Sequence, residues 1–203
     1  MRRPRSLLDL ISIAKEFQIE IKMPDREYKC NVLVLKEEQV DSTPCWVLQI
    51  WNPDLAARAT IHISKEDGSP IAGRFALFEY KGEDLMAFYM QTTTPIRIFL
   101  QQQDNNIEEW RALGERVGSV EIIGERDVCL GDITVKAFGY RVRTSELARK
   151  MLTPVVEGEY WMADIGDFSI VIRSITLFDD GTRIEVGISG VKLRNSDQRS
   201  STE

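Results

Sequence analysis

The sequence predicts a mainly antiparallel β (α+β) domain: a large curled sheet, closing as a half-barrel, barrel or sandwich, with a short N-terminal helix and one or two small helices. Three observations predict it. From Glu159 to Leu193 the chain reads as three strands joined by short acidic turns. In the last of these, Ile184, Val186 and Ile188 alternate with Arg183, Glu185 and Ser189, the period of a half-buried strand. Turn chemistry of the type Asp179-Asp180-Gly181 recurs along most of the chain, and helix-like stretches are few.

Taken in order, Ser6 and Asp9 form the ends of a capping box, and Leu7, Leu10, Ile11 and Ala14 recur at helical spacing. A helix over 6–16 follows. Phe17, Ile19, Ile21 and Met23 then alternate with polar residues, so the chain becomes a strand near Phe17 and ends it at Pro24. Strands are expected at 27–36, 45–51, 58–64, 71–80, 84–91 and 95–101, with breaks at DSTP, NPD, KEDGSP, KGED and TTTP. Gln101 to Asn106 is a polar link, and Ile107, Trp110 and Leu113 are spaced for a short helix closed by Gly114. Strands at 117–124 and 132–143 and a short helix over 145–152 precede the final three strands. Apolar phase slips at Gly139 and again at Gly190, which marks bulges that let a long sheet curl. The chain therefore reads as a single β-rich domain over 1–193, with a polar, disordered tail over 194–203. The segments from Ile61 and from Tyr160 share an outline of strand, turn, strand, which suggests repeat halves 27–101 and 117–193.

A net charge of −6 argues against a nucleic-acid partner, because phosphate binding needs clustered Lys and Arg. Arg2, Arg3 and Arg5 read as a solvated, poorly ordered terminus. No apolar run reaches the ~20 residues of a membrane-spanning helix. Asp9 interrupts the apolar stretch after the opening arginines and no cleavage site follows, so the expected location is cytoplasmic. Cys30, Cys45 and Cys129 have neither zinc nor disulfide-framework spacing and are expected as buried, reduced thiols, since a free Cys packs as a small apolar residue.

Chemistry-bearing patterns are scarce. His62 stands on the polar face of an alternating strand and reads as solvated, with no second ligand for a metal at useful spacing. The acid pairs Glu66/Asp67, Glu83/Asp84, Asp164/Asp167 and Asp179/Asp180 fall in or beside turns, where they serve hairpin chemistry. No phosphate-cradling glycine loop is present, and neither a cofactor nor a metal is expected.

Apolar residues on both faces of single strands are more informative. Met86, Phe88 and Met90 alternate with Leu85, Ala87 and Tyr89, and Trp46 and Trp161 each sit in strands apolar on both sides. Such strands need cover from the sheet folding over itself, from a second subunit, or from a ligand in an apolar cavity. The leading expectation is a non-enzymatic binding protein holding an apolar or lipid-like small molecule against Trp46, Met86, Phe88, Met90 and Trp161. One alternative is an interaction or scaffold protein burying the same surface in a homodimer; another is a carboxylate-dependent hydrolase.

The opening helix SLLDLISIAKEF, the strand CWVLQIWNP and the run YWMADIGDFSIVIRSITLFDDGTRIEV together resemble the lipoprotein-carrier class of half-barrels, which includes the periplasmic lipoprotein chaperone and related sensor domains. The resemblance implies a cavity for acyl chains between sheet and helix. It carries no functional residue across.

Overall fold

The structure, a computed structural model, describes residues 2–52, 58–103, 112, 117–151 and 153–194. Its opening helix, α1 (Leu7–Ile13), starts on the expected capping box: Asp9 N–H donates to Ser6 Oγ, and Asp9 Oδ2 accepts from Ser6 N–H. The helix is shorter than expected, because extended backbone begins at Ala14. Leu7, Leu10, Ile11 and Ala14 are all buried, as their spacing required.

Extended chain follows as β1 (Ala14–Met23), β2 (Arg26–Val40), β3 (Thr43–Trp51), β4 (Ala59–Ser64), β5 (Pro70–Phe75) and β6 (Phe78–Tyr80). The expected single strand 71–80 is split by a tight reversal at Ala76, whose φ is 53°. After a helical stretch come β7 (Gly118–Leu130), β8 (Ile133–Thr144), α4 (Glu146–Met151), β9 (Val155–Ile165), β10 (Phe168–Phe178) and β11 (Arg183–Leu193). All eleven strands form one antiparallel sheet in the order β6-β5-β4-β3-β2-β1-β11-β10-β9-β8-β7. The N-terminal and C-terminal halves thus join at β1 and β11, in mid-sheet.

The segments expected as strands at 84–91 and 95–101 are helices, α2 (Glu83–Thr92) and α3 (Thr94–Gln102). Leu85, Phe88 and Thr92 are buried while Met86 and Met90 are exposed, which is helical and not two-residue periodicity. Glu83 and Asp84 sit in the first turn of α2, where carboxylates suit the helix dipole. Pro95 in the first turn of α3 needs no amide hydrogen there. Both helices lie against the sheet, α2 on β5 and β6, α3 across β1, β2 and β11. Ile96 and Phe99 carry α3 into the main core.

The bulges foreseen near Gly139 and Gly190 are present. Register slips between Ile122 and Gly124 in β7, opposite Gly139, and between Gly190 and Ile188 in β11. A third slip, at Ile172 between Val171 and Arg173, is filled from outside the sheet. There the buried Gln103 side chain donates to Val171 O at 3.0 Å and accepts from Val171 N at 2.8 Å. The polar link expected from Gln101 therefore begins as the last turn of α3 with a core role. Its remainder, the helix expected around Trp110 and the tail from Asn195 lie outside the described residues.

Other expectations are corrected. The N-terminal arm is docked: Arg2 lies over the Phe168 ring at 4.3 Å, and Arg3 donates to Gln103 O at 2.9 Å. His62 is half-buried, not solvated, and its Nδ1 has no hydrogen-bond partner. The two segments compared as repeats each begin with a hairpin, β4–β5 and β9–β10, with Leu77 in a turn and Leu177 within β10.

Candidate functional site

The five residues expected to hold a ligand occupy three separate places. Phe88 is buried, stacked on Tyr80 with ring centroids 4.1 Å apart, and serves the packing of α2 on the sheet. Met86 and Met90 project from the outer side of that helix into solvent. Trp46, on β3, is half-buried, with Lys65 Nζ 4.4 Å and the Arg194 guanidinium 4.0 Å from its ring centroid. Trp161 lies on β9, five strands further along the sheet. It is buried beneath the Arg126 guanidinium at 3.7 Å, and its Nε1 donates to Glu159 at 2.7 Å.

Near Arg126 the sheet curls back on itself. The edge strand β7 is separated from β11 by three strands in the sheet order, yet its tip returns to β11. Gly131, at the β7–β8 reversal, forms a parallel bridge with Val191. Only two residues, Gly131 and Asp132, link Leu130 to Ile133. The first of them needs positive φ in a tight hairpin, and Gly131 has φ +66°.

Between the returning edge and β1, β11 and β10 an open cleft of about 220 Å³ remains. Val128, Leu130, Ile172 and Ile188 give it apolar surface, and Cys129 lies beside them. Charged groups surround these: Glu20 and Lys22 from β1, Arg126 from β7, Arg173 from β10 and Glu185 from β11. Arg173 Nε donates to Glu185 Oε1 at 2.8 Å. Burial pushes the Glu185 carboxyl up, but Arg173, with Lys22 and Arg183 behind it, more than offsets this and holds it below the usual carboxylate range. The space beside α1, by contrast, is filled by Leu10, Phe17, Ile165 and Ile170, with only about 10 Å³ left. A long acyl chain between sheet and helix has no room there.

Arg126 and Arg173 were not singled out in the sequence, and Glu185 and Ile188 were read only as the two faces of a strand, not as site residues. They stand in strands whose charges alternate with apolar residues, a pattern identical to that of an ordinary solvated face. The acid pairs are exposed, as their turn positions implied. Hydrogen bonds from Ser69 and from Thr182 hold Asp67 and Asp180 below their ordinary values, the reverse of what an acid catalyst needs. Among the described residues no helix is long and apolar enough to cross a membrane.

No protein-family model and no curated protein matches the chain. Solved structures similar to it include a complex of Pseudomonas aeruginosa MucA and MucB, at 11% identity and a TM-score of 0.43, covering 95% of this chain and 57% of the other. The Mycobacterium tuberculosis lipoprotein LppX is similar at 14% identity and a TM-score of 0.31, covering 90% and 88%. A protein described as exported, with a YmcC-like fold, from Bacteroides fragilis matches at 10% and 0.31, covering 87% and 94%. The chain spans little more than half the length of the MucB structure. The lipoprotein-carrier-like half-barrel resemblance read from the sequence is met among these likenesses, which transfer no residue role. The cytoplasmic location expected from the opening residues is withdrawn; a lipoprotein and a protein described as exported stand among the similar structures. The physical reason lies in α1: Leu7, Leu10 and Ile11 are apolar because they enter the core, so the opening residues report on folding and not on compartment.

Proposed function

We propose that the protein is a non-enzymatic binding protein that takes a small, partly apolar molecule into the cleft between β7 and β11. One observation carries this reading. The sheet curls far enough for its edge to touch β11 at Gly131, yet leaves an apolar-floored gap with charged walls beside that contact. Apolar surface with a few placed polar groups is what small-molecule recognition uses. At about 220 Å³ the gap is below the ~300–1,000 Å³ of drug-sized sites, so the ligand is small. Of the residues expected from sequence, Trp161 remains part of this reading, because it supports Arg126 at the cleft wall.

Native mass spectrometry of gently purified protein tests it. A small adduct is expected on the native chain and lost in Val128→Trp, where an indole fills the gap. Spectra that stay adduct-free through repeated preparations sink the proposal.

A second reading, an interaction protein that buries an apolar surface in a homodimer, is favoured by the corner formed by β6 and α2. Leu77 is 89% exposed, Phe78 68% and Met86 52%, all beside a sheet edge that continues no further. Sedimentation at micromolar concentration separates the readings, because a monomer removes this one and leaves the cleft untouched.

A further inference from the structure

Arg126 gives the cleft a selectivity that its apolar floor alone would not. Among the described residues no carboxylate pairs with it, whereas the other charged groups at the cleft have opposite partners. Arg173 meets Glu185 at 2.8 Å, Glu20 meets Lys29 at 3.4 Å, and Lys22 meets Glu27 at 3.9 Å. Arg126 instead rests over the face of Trp161, 3.7 Å from its centroid. An indole beneath a guanidinium fixes its position and leaves in-plane N–H groups to donate. Such an edge suits a carboxylate, which accepts two parallel hydrogen bonds from it.

Resting on the reading of the cleft as a binding site, we propose that its ligand is a short amphiphile with a carboxylate head. The carboxylate sits on Arg126 and the chain lies on Val128, Leu130, Ile172 and Ile188. The size of the cleft sets the chain length. At about 220 Å³ the cleft is below the ~300–1,000 Å³ of drug-sized sites, so a short chain of roughly octanoate's length suits it.

Octanoate and octan-1-ol share a chain and differ in charge, so they test the head group separately from the cleft. Each is titrated into the ¹⁵N-labelled full chain and followed by amide NMR at Val128, Leu130, Gly187 and Ile188. Both probes are expected to shift these signals, with octanoate bound at least tenfold more tightly. Arg126→Gln keeps a planar polar group on the same strand position but removes the charge. In that variant the octanoate advantage should fall below twofold while octan-1-ol binds as before. Equal affinities in the native chain, or an advantage that survives in R126Q, overturn the carboxylate assignment and leave the cleft a binding site. Loss of both probes in a folded R126Q also overturns it, because Arg126 would then act only by packing Trp161. Absence of any shift at the cleft with either probe overturns the binding reading itself.

Discussion

Phe88 lies so close to Gly73 that a methyl group added at the glycine would stand 2.6 Å from the ring's Cε1. The same methyl would meet Leu85 Cδ1 at 3.1 Å. This contact seats α2 on β5, and the Tyr80 ring stacked on Phe88 closes it from β6. Gly73→Ala therefore forces the helix outward. The expected cost is about 1–3 kcal/mol, the usual range for overpacking a filled core, read as a lower urea midpoint. Phe88→Leu in the Gly73→Ala background should cost less than in the native chain, because the smaller side chain relieves the clash. Additive losses would mean that the two residues do not press on one another.

That contact also explains why α2 reads as a strand in sequence. Leu85, Phe88 and Thr92 fit a helix, while Met86, Phe88 and Met90 fit a strand, and Phe88 belongs to both sets. What decides between them is a long-range partner, a glycine on β5 whose role no local pattern reveals. By contrast α1, most strands and the bulges at Gly139 and Gly190 were legible, because caps, two-residue alternation and glycine phase slips are local signals. The cleft was not legible. It exists only because β7 meets β11 across three intervening strands, and a bulge announces curvature without saying which edges it brings together.

The three thiols should separate cleanly by reactivity. Cys30 is fully buried and burial pushes its thiol up to about 12, while burial also raises that of Cys45. Cys129, against the expected burial, is exposed on β7 beside the cleft, because it points away from the core that takes its neighbour Leu130. A disulfide reagent at pH 8 should modify Cys129 quickly and reach the other two only on unfolding. Cys129→Ser should remove the fast phase. A second fast thiol would mean that β2 or β3 opens far more readily than its packing implies.

Gly131 controls whether the edge stays docked. A side chain there would adopt positive φ and bring its Cβ to 3.2 Å from Val191 N. Gly131→Ala should cost about 1–2 kcal/mol through the left-handed backbone alone. Because the reversal touches β11 locally, amide exchange should quicken first from Leu130 to Ile133, with β2 and β3 unchanged. A uniform acceleration across the sheet would show that the tip has no independent docking equilibrium.

Acid should loosen the cleft through Glu185. Its folded-state value lies below the ordinary one, so between the two values the unfolded chain binds the extra proton, and stability rises with pH there. The contribution is complete above the unfolded carboxylate value of about 4.3 and is lost as pH falls through the lower folded one. Its size is limited, because the pair is partly open to water, and about 1 kcal/mol or less is expected. Urea unfolding of the native chain and of Glu185→Gln checks this across pH. The native chain should be the more stable above about pH 5, and its advantage should vanish in stronger acid. The same advantage should disappear when Arg173 is replaced by Gln, since Arg173 supplies the 2.8 Å hydrogen bond and the nearest positive charge. A gap between native and Glu185→Gln that widens in acid would reverse the sign and remove Arg173 as the cause. Were the gap independent of pH, Glu185 would be contributing through shape and not through charge.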